Sequence, residues 1–253
     1  MNYVIIIPAR FASSRFPGKP LERIGGKPMI AHVIERAKRT AAARVVVATD
    51  DDRIAAVVKA HATEVILTDP NHPSGTDRLA EAARLLGLED SQIVVNVQGD
   101  EPLVEPENIH QVAECLARHD DAAIATLCTP IRHEGDWQDP NVVKVVRAQN
   151  EQALYFSRAP IPWPRDAMRH QLKDNRVYAH ARRHIGLYAY RMRWLQKIAD
   201  LSPTPLEMTE QLEQLRVMEH GMKIVVSEAS KEPGPGVDTP EDLKRVSAIL
   251  AGT

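Results

Sequence analysis

Asp100 follows a short apolar run, Ile93-Val94-Val95-Asn96-Val97, in the segment Gln98-Gly99-Asp100-Glu101-Pro102. A carboxylate there suits Mg²⁺, which takes oxygen ligands and combines one or two carboxylates with substrate phosphates. The plain alternative is a turn-forming Asp. A shared ion needs a second carboxylate, and Asp238 in Gly236-Val237-Asp238-Thr239-Pro240-Glu241-Asp242 offers one. Thr239-Pro240-Glu241-Asp242 is also a good helix start, which Asp238 could simply precede. Cations collect at the other end of the chain. Arg10, Arg15 and Lys19 follow the first apolar run, Tyr3-Val4-Ile5-Ile6-Ile7, among the small residues Ala12, Ser13, Ser14 and Gly18. Accessible backbone N–H groups and three cations suit phosphates. The segment lacks the GxxxxGK[ST] pattern of a Walker loop, and a solvated basic surface loop is the other reading. A third motif, His72-Pro73-Ser74-Gly75-Thr76-Asp77-Arg78, precedes a helical pattern and presents a hydroxyl and free N–H groups at its positive end. Thr76 acting only as an N-cap would account for most of it.

These residues need elements to hold them. Short β-branched runs alternate with helical patterns through the first half, the rhythm of βαβ units in a parallel sheet. Strands are expected at Val4 to Ile7, Val45 to Ala48, Val65 to Leu67 and Ile93 to Val97. Helices are expected at Met29 to Lys38, Asp52 to Ala60, Asp77 to Leu86 and Pro106 to Arg118. The continuous apolar character of Ile93-Val94-Val95 implies a strand covered on both faces. The expected fold class is therefore α/β, a doubly wound, mostly parallel sheet. The second half breaks the rhythm: Val142 to Arg147, Ala153 to Phe156 and Ile185 to Tyr190 read as strands of a small antiparallel addition. Ala159-Pro160-Ile161-Pro162-Trp163-Pro164 must be an irregular surface connection, because alternating prolines suit neither helix nor central strand. A helix capped at Thr204-Pro205-Leu206-Glu207 is expected to run to Gly221, followed by a strand at Ile224 to Val226 and a last helix from Thr239.

Composition narrows the function. A chain of 253 residues with a formal charge of −2 and no block of like charge fits neither a nucleic-acid surface nor a polybasic membrane patch, which leaves small molecules as the ligand class. Cys115 and Cys128 lack the paired spacing of a zinc site or disulfide framework and read as buried thiols in a reducing compartment. The opening apolar run is too short for a signal peptide or a span, so a cytoplasmic protein without a membrane partner is expected. His180 and His184 have i,i+4 spacing, but Ile185 to Tyr190 reads as strand, which removes a helical zinc pair. Trp137, Trp163 and Trp194 read as packing anchors.

The element strand-Pro8-Ala9-Arg10-Phe11-Ala12-Ser13-Ser14-Arg15-Phe16-Pro17-Gly18-Lys19-Pro20-Leu21, with Gly25-Gly26-Lys27-Pro28-Met29-Ile30 after it, resembles the N-terminal signature of sugar nucleotidyltransferases. Its details, with the Ser74-Gly75-Thr76-Asp77-Arg78 and Gly236-Val237-Asp238-Thr239-Pro240-Glu241-Asp242-Leu243 segments, resemble the 3-deoxy-manno-octulosonate (KDO) cytidylyltransferases over nearly the full chain. The resemblance implies a nucleotide-diphospho-sugar transferase-like fold and one nucleotidyltransferase domain over 1–253. Within it, 130–200 would be an antiparallel sugar-binding and dimerisation subregion. It implies CTP and an acidic 2-keto sugar as substrates, Mg²⁺ as cofactor, and a homodimer. It assigns Arg10, Arg15 and Lys19 to the CTP phosphates, Pro8 and Ala9 to the neighbourhood of the base, and Ser74, Gly75 and Arg78 to cytosine. Gln98 falls between nucleotide and sugar, and Asp100 and Asp238 hold the metal. Lys19, Asp100, Asp238 and Arg15 would form the catalytic set. An acidic sugar needs donors for its carboxylate and polar groups for its hydroxyls. The resemblance places Arg158, His184, Tyr188, Glu213 and Gln214 there, whereas the residues alone also allow Arg158 and His184 as local caps and Glu213-Gln214 as a wet helix face. The implied reaction is attack of the sugar's anomeric hydroxyl on the α-phosphorus of CTP. A sialic acid or 8-amino-KDO enzyme, a glycosyltransferase and a silent nucleotide-binding regulator are the alternatives. Asp50-Asp51-Asp52 contains Asp-x-Asp only trivially, at a helix start.

Overall fold

The computed structural model describes residues 1–12, 16–170 and 177–252. In chain order the elements are β1 (Tyr3–Ala9), β2 (Arg23–Ile24), β3 (Lys27–Pro28), α1 (Met29–Lys38), β4 (Arg44–Thr49), α2 (Asp52–Ala60), β5 (Glu64–Leu67), α3 (Gly75–Leu85), β6 (Ile93–Asn96) and α4 (Pro106–Ala117). They continue as β7 (Ile124–Pro130), α5 (Glu134–Gln138), β8 (Lys144–Arg147), β9 (Ala153–Ser157), α6 (Arg165–Arg169), β10 (Arg182–Arg191), α7 (Met192–Ala199), α8 (Pro205–Glu210), α9 (Gln214–Glu219), β11 (Ile224–Glu228) and α10 (Pro240–Ala251).

The main sheet runs β11-β7-β10-β6-β1-β4-β5. β6, β1, β4 and β5 are mutually parallel, and β11 is parallel to β7. β10 lies antiparallel between β6 and β7, and β8 and β9 extend an antiparallel ladder from its first residues. The apolar strands are buried from both sides: Ile5, Ile7 and Val95 pack with Val33, Ile34 and Val112 in one layer, while Val4, Ile6 and Val94 pack with Leu79 and Ala83 in the other. The doubly wound class follows from these two layers. Chain order advances from β1 to β4 to β5 on one side and then crosses to β6 on the other. The crevice at the carboxyl ends of β1 and β6 is thus the topological switch point, where open α/β sheets bind ligands.

Three local expectations need correction. The helix expected from Thr204 to Gly221 is two helices, because Gln211 takes a left-handed conformation with φ 53° between α8 and α9. Arg216 then folds back onto Glu207, donating to both carboxylate oxygens at 2.7 and 2.6 Å. The cap of α3 is Ser74, whose Oγ accepts from the N–H groups of Thr76 and Asp77, so Thr76 already lies inside the helix. β10 is longer than expected, beginning at Arg182, and carries a bulge between Ile185 and Tyr188.

Candidate active site

Gly18, at φ 74°, turns the chain into a short 3-10 segment over Lys19–Leu21 and leaves the Lys19 side chain almost covered. Its ammonium donates to Asp100 Oδ2 at 2.6 Å, to the Val237 carbonyl at 2.8 Å and to Asp238 Oδ1 at 3.4 Å. Those two carboxylate oxygens are therefore no farther apart than the 6.0 Å to which the two ion-pair distances add. The Val237 N–H donates to the Asp100 carbonyl at 2.9 Å, which fastens the segment before α10 to the loop after β6. Asp238 also leads into a helix: its N–H and that of Thr239 both donate to Asp242 Oδ2, and Thr239 caps α10. The two readings of this segment describe one arrangement, in which a firm helix start holds a carboxylate at the sheet edge. Two carboxylates converging on one cation form the oxygen-rich donor set that suits Mg²⁺.

Around this centre is a cavity of about 220 Å³ whose walls include Pro8, Ala9, Arg10, Lys19, Ser74, Gly75, Arg78, Gln98, Asp100 and Asp238. Arg78 is 2 % exposed and donates to Thr68 Oγ1 and to Asp50 Oδ2, the latter at 2.7 Å. It is thus a fixed charge in the wall. A Cβ on Gly99 would stand 2.8 Å from the Pro8 carbonyl, so glycine here lets the loops after β1 and β6 close on each other. A second pocket of about 140 Å³ adjoins the first, with Gly75 and Gln98 lining both. Its wall holds Tyr188 and Tyr190 from β10, Asn96 from β6, Thr76, and Glu213 and Gln214 at the start of α9. The bulge in β10 sets Tyr188 opposite Asn96. Burial pushes the Glu213 carboxyl above its ordinary pKa and raises Tyr188 likewise. Burial and the neighbouring Asp100 raise Glu101 to about 7.

A cytidylyltransferase family model matches residues 4–224. A 3-deoxy-manno-octulosonate cytidylyltransferase from Thioalkalivibrio sulfidiphilus is 54 % identical over 250 residues, covering 99 % of both chains. One from Halorhodospira halophila is 51 % identical, covering 99 % of this chain and 98 % of its own. The solved structure of CMP:2-keto-3-deoxy-manno-octonic acid synthetase complexed with CTP has a TM-score of 0.90 at 43 % identity, covering 100 % of this chain and 99 % of that one. The chain belongs to the cytidylyltransferase family, among the 3-deoxy-manno-octulosonate cytidylyltransferases.

In this cytidylyltransferase the residues singled out by sequence fall into four groups. Pro8, Ala9, Arg10, Lys19, Ser74, Gly75, Arg78, Gln98, Asp100 and Asp238 meet at the first cavity, and Tyr188, Glu213 and Gln214, again with Gln98, meet at the second. Arg15 lies outside the described residues. Arg158 and His184 line neither cavity. The Arg158 guanidinium instead donates to the carbonyls of Glu210, Pro140 and Gln211, fastening the end of α8. His184 lies behind Tyr188, with ring centroids 5.4 Å apart, and its Nε2 is 3.0 Å from Thr126 Oγ1. The Thr126 hydroxyl has one proton, spent on the Ile185 and Leu187 carbonyls, so the His184 Nε2–H donates to it. Desolvation pushes this imidazole down to about 3.

Sequence reasoning missed Asp50, Asn96 and Tyr190. Asp50 directly follows β4 at the carboxyl edge of the sheet, a position that marks it out, yet its triple-Asp setting reads as a helix start. Asn96 and Tyr190 carry no local signal, since only the pairing of β6 with β10 brings them together. On the far face, ligand atoms of Cys115, His119 and Glu151 lie within 4.8 Å of one another. Glu151 there already faces Arg147 at 3.5 Å and accepts from Ser227, and burial lifts the Cys115 thiol to about 11, which makes the group a packed charge network.

Proposed function

We propose that the chain transfers CMP from CTP to 3-deoxy-D-manno-octulosonate, giving CMP-KDO and pyrophosphate. The observation that carries this reading is the convergence of Asp100 and Asp238 on one cation in a cavity that shares Gln98 and Gly75 with a second, polar pocket. Near-full-length identity to relatives with that activity supports the choice of nucleotide and sugar.

The anomeric oxygen of the sugar forms a bond to the α-phosphorus of CTP, the bond to the bridging oxygen breaks in line, pyrophosphate leaves and the hydroxyl proton is released. Such transfer depends chiefly on positioning and charge neutralisation. Asp100 and Asp238 would hold Mg²⁺, which supplies charge neutralisation of the triphosphate when bound. Arg10 and Lys19 meet the phosphates, Ser74, Gly75 and Arg78 meet the base, and Gln98 stands at the junction of the two substrates. Tyr188, Glu213 and Gln214 hold the sugar, with His184 packed behind them. The product would serve lipopolysaccharide assembly from the cytoplasm. A homodimer joined through 130–200 fits the exposure of Leu154 and Trp163, at 57 and 59 %.

The test is Mg²⁺-dependent pyrophosphate release from CTP with a panel of acidic 2-keto sugars. KDO is expected to be turned over best. Preference for sialic acid or 8-amino-KDO would replace the sugar assignment, and CTP binding without release would replace the enzymatic one.

A further inference from the structure

The Lys19 ammonium carries three protons and has three acceptors inside the protein: Asp100 Oδ2, the Val237 carbonyl and Asp238 Oδ1. In this arrangement no donor is left for a phosphate oxygen. A divalent ion between the same carboxylates would lie against a like charge, since metal–oxygen contacts of about 2.1 Å from Asp100 Oδ2 fall within close range of the ammonium. The two states exclude each other. The means of exchange is present: the turn around Gly18 and Lys19–Leu21 fixes the backbone, while the ammonium rides on a flexible four-carbon stem. The carboxylates also face the cavity, with side chains 35 and 52 % exposed against 10 % for Lys19.

We infer that Lys19 is an exchange residue. It neutralises the aspartate pair in the free protein and yields that pair to a divalent ion only when a triphosphate offers its ammonium new acceptors. This rests on the reading of Asp100 and Asp238 as the ion's ligands. It adds an order of events: the free chain resists the bare ion, and ion and nucleotide enter together. Lys19 thereby couples metal occupancy to nucleotide occupancy and holds the two carboxylates in place beforehand.

The experiment measures Mn²⁺ binding by the electron paramagnetic resonance of the free ion, first without nucleotide. Lys19→Met is expected to bind Mn²⁺ at least about ten-fold more tightly than the unaltered chain, because the competing charge is gone. Lys19→Gln, which retains a donor toward Asp100, guards against misfolding of the first variant and is expected to move the same way. Adding Asp238→Asn to either should abolish the gain. With CTP present and no sugar, Mn²⁺ affinity of the unaltered chain should rise, and that of Lys19→Met should rise less. Equal nucleotide-free affinities for the unaltered chain and both Lys19 variants, with Mn²⁺–CTP binding still sensitive to Asp238→Asn, would overturn the exchange and leave the ion site standing. Mn²⁺–CTP binding that ignores Asp238→Asn would overturn the ion site itself.

Discussion

Lys19 and Asp238 are 219 positions apart in the chain, yet both serve one cluster with Asp100. Removing a member of such a cluster takes away charge at the cavity and little of the core. Asp100→Ala is expected to lower kcat/KM for pyrophosphate release by at least about 10²-fold with an unchanged circular dichroism spectrum, the scale of losing one preorganised electrostatic group. Activity within ten-fold of the unaltered chain would remove Asp100 from the site. His184 carries a different prediction. Its imidazole is held neutral with a folded pKa of about 3, below the ordinary 6.5, so the unfolded chain binds the extra proton between those values. Stability contributed by the neutral ring is complete above about 6.5 and drains away as pH falls toward 3, at up to about 1.4 kcal/mol per pH unit. Unfolding free energies from urea titrations at pH 7 and pH 5 should therefore separate more for the unaltered chain than for His184→Gln, by up to about 2 kcal/mol. Equal separations would show that His184 titrates alike in both states.

At the scale of elements, each wall of the site depends on how one segment ends. β1 and β6 stop side by side where Gly99 admits the Pro8 carbonyl, and the same glycine lines the first cavity. α3 starts at Ser74, whose hydroxyl is engaged with the backbone and with Asp77, so its part in the cavity is to present the Gly75 end of the helix. β4 is followed directly by Asp50, which pairs with Arg78 in the cavity wall, the two side chains being 9 and 3 % exposed. Breaking a buried pair from one side leaves an uncompensated charge at a cost of about 3–5 kcal/mol. Asp50→Ala should lower the denaturation midpoint accordingly and raise KM for CTP, whereas Asp51→Ala, which removes the partly buried N-cap of α2, should cost only about 1 kcal/mol and leave KM alone. Equal effects of the two would deny Arg78 its special support. The break at Gln211 lets the chain start a new helix, and the residues at that start, Glu213 and Gln214, line the second pocket.

Over the whole molecule, the parallel half of the sheet supplies the switch point and the antiparallel strand β10 closes its side, so the first cavity and the polar pocket abut along Gln98. This continuity predicts linked binding. CTP with Mg²⁺ should raise the melting temperature, by the equivalent of about 2.7 kcal/mol at one hundred times the dissociation constant. CTP alone should do less, and Asp238→Asn should erase the difference between the two conditions. An equal shift with and without Mg²⁺ would speak against a metal-linked nucleotide site. Among the described residues no helix is long and apolar enough to cross a membrane.

The α/β class, strands β1, β4, β5 and β6 with helices α1 to α4, and the motifs at Arg10 to Lys19, Ser74 to Arg78, Asp100 and Asp238 were legible in the sequence. Each is written in neighbouring residues, as apolar periodicity, a capping pattern or a charge directly after a strand. Tertiary structure alone decided the partners: that Asp100 and Asp238 meet on Lys19, that Asp50 secures Arg78, that Asn96 and Tyr190 face the second pocket, and that Arg158 is spent on carbonyls outside it. Those outcomes depend on strand register, a bulge and a left-handed residue between helices. Such features are settled by packing between segments far apart in the chain, where local pattern carries no information about distance.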